Sequence, residues 1–218
     1  AHACYPQDGA NAAYLAAELL TEFELAPELA EISGDEIAAP PTALHAKDLK
    51  SGYNVTTPAQ AFVYWNTLQH RRSAADVFDI SLMLARRAMA RAAHKVQRDI
   101  PVITYAELAA RLPMPERESI AREMAALTDL DLPERAKLVT ARVWAKSGLS
   151  GPCVVFGFGS IPYPAVSLSD GALEDAILAA VRPFGLGTVR YFPGISDMSF
   201  FGEASGDHAV AEANTPVW

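Results

Sequence analysis

Cysteine is nearly absent from this 218-residue chain: Cys4 and Cys153 are the only two, far apart and in unlike surroundings. Such usage excludes a disulfide framework and points to a reducing compartment, so the expected location is the cytoplasm. A basic run is missing as well. With 26 acidic against 18 basic side chains the net charge is −8, and nothing in that balance draws the chain to nucleic acid or to an anionic membrane. The longest apolar runs fall short of the roughly 20 residues that cross a bilayer. No basic segment precedes an apolar stretch at the start, so neither a membrane helix nor a signal peptide is expected.

Local metal-ligand spacing is also lacking. The five histidines (His2, His45, His70, His94 and His208) form no His-x-His or His-Glu-x-x-His pattern, and there is no Cys-x-x-Cys, the spacings that bring two ligands to one metal. A Gly-x-Ser-x-Gly nucleophile elbow and a Gly-Lys-Ser/Thr phosphate loop are absent too. The stretch "GFGSIPYPA" carries two glycines of a dinucleotide fingerprint. It lacks the third, and it places two prolines where the helix should begin.

What is present is material for a core. Half of the residues are hydrophobic and one fifth are charged, the composition of a globular protein, and the length suits one large domain or two small ones. In "NAAYLAAELLTEFELA" (11–26) Leu15, Leu19, Leu20 and Phe23 share one face, which predicts a helix. Strands are expected within 40–50 and over 62–67, the latter aromatic and β-branched. Ser73 caps a long amphipathic helix with Val77, Leu84, Ala88 and Ala92 facing inward and Arg86, Arg87 and Arg91 on a solvated side. A strand at 100–105 follows. If the opening residues end a strand that lies mostly upstream, 1–105 forms a ferredoxin-like βαββαβ domain of the α+β class.

Residues 106–150 change character, with helical segments punctuated by Pro113, Pro115 and Pro133, and read as a helical connector. From 151 to 218 the chain reads as a partial α/β segment. "PCVVFGFG" is an apolar run of the kind buried on both faces of a parallel sheet, "ALEDAILAAVRPFG" is a helix, and "TVRYF" is a second strand. The loop between them leaves the strand's carboxyl edge, where α/β proteins tend to place ligands.

Four stretches in this order resemble a known superfamily. "AHACYPQDGANAA", "YNVTTPAQAFVYW", "PYPAV" and "GISDMSFFG" are similar to the lid segments and the return loop of the zinc-dependent aminoacylase, deacylase and carboxypeptidase superfamily. Within it, "PPTALHAKDLKSGYNVTTPAQAFVYWNTL", "FGSIPYPAV" and "YFPGISDMSFFG" are most similar to the arginine-utilization (RocB-type) peptidase-like proteins. The resemblance implies a lid and dimerisation domain over 1–105, the connector, and part of a catalytic domain over 151–218.

It also implies hydrolysis of an amide in a small amino-acid or peptide substrate by a homodimer that uses two zinc ions. His2 matches the lid histidine that stabilises the oxyanion in the partner's active site. Asn54 matches the lid asparagine that holds substrate, while Ser196 and Asp197 match the loop beside the substrate carboxylate. The superfamily's metal ligands find no counterpart here, so the chain resembles a piece of a longer enzyme, with no zinc expected on it alone. Read without the resemblance, His2 is a terminal residue, Asn54 a turn residue, and Ser196 and Asp197 helix caps. The alternative is a non-catalytic α+β binding or dimerisation module. His45, His70, His94 and His208 are expected at surface or packing positions, and Trp65 in the core or an interface.

Overall fold

The computed structural model describes residues 1–33, 36–69, 72–162, 165–167, 172–186, 203–205 and 208–217. Helix α1 (Ala12–Phe23) starts at Asn11, whose side chain accepts from the Ala13 N–H and so satisfies one of the helix's free donors. It buries Leu15, Leu19 and Phe23. A short antiparallel pair, β1 (Ile32–Ser33) with β2 (Glu36–Ile37), precedes β3 (Thr42–Asp48). Strand β3 pairs antiparallel with β4 (Ala61–Asn66), from Thr42 opposite Asn66 to Asp48 opposite Ala61, with a register shift between Ala43 and His45.

Alternation along β4 sends Val63 and Trp65 into the core, where Trp65 stacks on Phe23 at 4.5 Å. Phe62 and Tyr64 gather with His45 of β3; the His45 and Tyr64 rings stack at 5.3 Å. Trp65 and His45 are thus packing residues, as expected.

Helix α2 (Ala74–Val96) opens with a complete capping box: Ser73 accepts from the Asp76 N–H and Asp76 accepts from the Ser73 N–H. Its face of Val77, Leu84, Ala88 and Ala92 is buried, and with Leu15, Leu19, Phe23 and Met89 it forms the principal core. The arginines on the opposite flank divide. Arg86 is exposed, but Arg87 pairs with Glu22 and Glu28, and Arg91 pairs with Glu18 and Glu22. They are interhelical partners rather than a free solvated face, because the nearly buried Glu22 carboxylate of α1 needs cations to compensate its desolvation.

Strand β5 (Val102–Thr104) runs into three helices, α3 (Tyr105–Ala109), α4 (Met114–Ala125) and α5 (Leu132–Lys146), and then β6 (Val154–Phe156). β5 and β6 pair in parallel, Val102 opposite Val154 and Thr104 opposite Phe156. A parallel pair needs a crossover, and the three helices supply it. The helical reading of 106–150 therefore agrees with the structure.

The partner of β5 does not. Expected to close the lid sheet, β5 pairs with β6, and the described strands form four two-stranded sheets with no four-stranded lid among them. The physical reason lies in the pleat, since successive side chains point to opposite faces. Val102, Val154 and Phe156 pack on the α1–α2 core, while Ile103 and Val155 pack on a second core of Leu108, Leu112, Ile120, Met124, Val139 and Val143. Only a strand pair sandwiched between two cores buries both sides of these apolar runs.

Beyond β6 lie β7 (Ala165–Ser167), α6 (Ala172–Val181), β8 (Glu203–Ser205, antiparallel to β7) and α7 (Ala209–Asn214). The expected strand "TVRYF" falls outside the described residues. The architecture is mixed α and β.

Helix α7 explains the first glycine of "GFGS". The Asn214 backbone carbonyl accepts from the Phe158 N–H at 2.9 Å, and its buried side chain accepts from the Ala106 N–H and donates to the Val210 carbonyl. A Cβ on Gly157 would stand 2.8 Å from that carbonyl oxygen and 3.1 Å from Tyr105 Cβ. Glycine is needed here for close approach of one backbone to another. Gly157→Ala is expected to lower stability by about 1–3 kcal/mol through overpacking, read as a fall in the urea midpoint. A change within about 0.5 kcal/mol would show that α7 yields without cost.

Candidate functional site

The β3–β4 loop is folded by its own polar groups. At the end of β3 the Asp48 carboxylate accepts from the Lys50 N–H at 2.9 Å. Further on, Asn54 Oδ1 accepts from the Thr56 N–H at 3.0 Å and from the Thr56 hydroxyl, a side-chain-to-backbone turn that asparagine forms two residues ahead of its partner. Against this turn lies the opening segment of the chain. His2 and Thr56 form an antiparallel bridge, the Ala3 N–H donates to the Val55 carbonyl at 2.7 Å, and the Thr57 N–H donates to the Ala1 carbonyl at 2.8 Å.

The structure thus brings together His2 and Asn54, which the sequence presents 52 positions apart: the residue opposite His2 is the one Asn54 holds. Both are exposed. His2 Nδ1 accepts from the Cys4 N–H at 3.1 Å, and a ring nitrogen that accepts leaves the proton of the neutral imidazole on Nε2. Asn54 spends its oxygen on Thr56, so its Nδ2 amide keeps both N–H donors unbonded among the described residues. The ribbon therefore offers two kinds of N–H donor on an open surface. Such donors suit an oxygen that carries or develops negative charge.

Ser196 and Asp197 lie outside the described residues, as does His70. Two contributors escape a sequence reading, Thr56 and Lys50. The Asn-x-Thr spacing of "YNVTT" is a recognisable turn signal for the first. No local pattern marks the second, whose Nζ donates to the Asn54 carbonyl at 3.0 Å and the Thr56 carbonyl at 2.8 Å.

The displaced pKa values among the described residues lie away from this ribbon. The Arg87 guanidinium holds the Glu28 carboxyl below its usual range, a hydrogen bond to Glu18 raises Tyr14, and burial raises Tyr105 and the Cys153 thiol. Among the described residues no three His, Cys, Asp or Glu side chains converge in a group that could hold a metal ion. No helix among them is long and apolar enough to cross a membrane.

Comparison with known proteins adds one relative. The chain is similar to the uncharacterized protein YqjN of Bacillus subtilis (strain 168), 26% identical over 247 aligned residues that take in all of this chain and 45% of that protein. The chain thus spans less than half the length of this curated relative. No family model matches the chain, and no solved structure matches it.

Proposed function

We propose that this chain is the lid-bearing part of a zinc-dependent amidohydrolase or peptidase-like enzyme of the cytoplasm, one that hydrolyses an amide in a small amino-acid or peptide derivative. The observation that carries the reading is the juxtaposition of His2 and Asn54 on one hydrogen-bonded ribbon, each with an N–H donor that no described residue accepts from. In this reading His2 Nε2–H donates to the oxygen of the scissile carbonyl as negative charge builds on it, where a preorganised donor is worth most. Asn54 Nδ2 would hold the substrate against the lid, and the resemblance assigns Ser196 and Asp197 to the loop that recognises the substrate carboxylate. In this reading two zinc ions would be held by segments of a longer protein and would supply Lewis-acid polarisation and an activated water.

The same reading gives the lid a second task as the dimer interface. In support, β3 pairs only with β4 among the described strands and carries Leu44 62% exposed, and an unpaired strand edge is a ready surface for a second copy. The testing experiment is a crystal structure of the zinc-loaded full-length protein with bound product, its metals located by anomalous scattering. The expected result is a dimer in which the His2 ring lies within hydrogen-bond reach of the product oxygen at a metal centre. A ring remote from every metal centre, in its own subunit and in the neighbour, overturns the reading.

A further inference from the structure

Lys50 is half-buried, forms no ion pair among the described residues, and directs its ammonium at two backbone carbonyls of one loop. A lysine on a loop gains more rotamer freedom and hydration by reaching into water. Here the two charge-assisted bonds, stronger than neutral ones, hold the head group to Asn54 and Thr56. Those are the residue that presents the free amide and the residue that faces His2 across the bridge. One cation therefore fixes both halves of the donor pair, by closing the loop on residue 54 and by presenting residue 56 to the opening segment.

From this geometry, and resting on the function proposed above, we infer that Lys50 is a positioning residue: its ammonium clamps the Asn54 and Thr56 carbonyls and so sets where Asn54 Nδ2 and His2 Nε2 stand relative to a bound amide. It touches no reacting atom. Its effect passes through the loop backbone, so removing it relaxes the loop without unmaking the β3–β4 pairing or the α1–α2 core, to neither of which the ammonium is bonded.

The test uses the full-length protein with zinc, N-acetyl-L-amino acids as substrates, and two readouts. In Lys50→Met, hydrogen exchange of the peptides spanning 51–57 and 1–5 is expected to quicken while the melting temperature stays near that of the parent. Turnover is expected to fall roughly tenfold or more, because small misplacement of a reacting group carries a large rate penalty. Lys50→Arg, which keeps a cation able to bridge two carbonyls, is expected to restore most of both. Unchanged exchange over 51–57, or quickened exchange with turnover unchanged, overturns the clamp. The parent reading is judged separately by His2→Ala. If that variant loses turnover and Lys50→Met does not, only the clamp is wrong; if His2→Ala turns over normally, the function assigned to the ribbon falls, and the clamp's positioning role with it.

Discussion

Truncating Leu84 to alanine is expected to cost about 2–5 kcal/mol of stability, the range for deleting a wholly buried leucine side chain and leaving a cavity behind. Leu84 has no exposed surface, and it sits in α2 among Leu15, Leu19 and Phe23 of α1 and Met89 of its own helix, in the cluster that Val154 and Phe156 of β6 also join. Three separate stretches of chain thus lose packing at one point. The helix itself gives no excuse for the loss, since alanine is the better helix former. The measurement is urea unfolding, with a lowered midpoint and an unchanged slope. Met83→Ala, one position away but 48% exposed, is the control, and its shift should stay within about 0.5 kcal/mol. Equal shifts for the two would deny that this helix face is the centre of the core.

Leu84 is also a residue whose fate is written in the sequence. Its spacing with Val77, Ala88 and Ala92 defines one stripe, and all four are buried; the capping box at Ser73 is equally plain, because it is a local contract between residues three apart. Where partners come from elsewhere in the chain, local pattern is silent. Nothing near Arg87 or Arg91 announces that Glu22, some 65 positions earlier, will need both of them. Strand β5 shows the same limit more sharply. Its apolar run predicts a strand but not its neighbour, and the pairing with β6 is the one that brings two cores to the two faces. Gly157 is a further case: "GFGS" advertises a backbone that must come close to something, and only the fold supplies α7 as that something.

The ribbon that carries His2 was partly legible in the same way. The family resemblance points to His2 and Asn54, while their meeting depends on backbone bonds between the opening segment and the β3–β4 loop, which no periodicity encodes. That meeting sharpens the decisive functional experiment. If the proposed function holds, His2→Ala in the full-length protein is expected to lower kcat by about 10²–10³-fold, the usual loss when one oxyanion donor is removed, with KM little altered. On the proposed function Nε2–H, left as the donor when Nδ1 accepts from the Cys4 N–H, would meet an oxygen whose charge is larger in the transition state than in the bound substrate. Removing such a donor lowers kcat and kcat/KM together. Asn54→Ala is the contrast, because a group that holds substrate equally in both states raises KM and leaves kcat in place. If His2→Ala instead raises KM alone, the imidazole binds substrate and does not serve the developing charge. If it changes neither constant, the ribbon is a structural seam between the opening segment and the loop, and the non-catalytic α+β module becomes the better account of this chain.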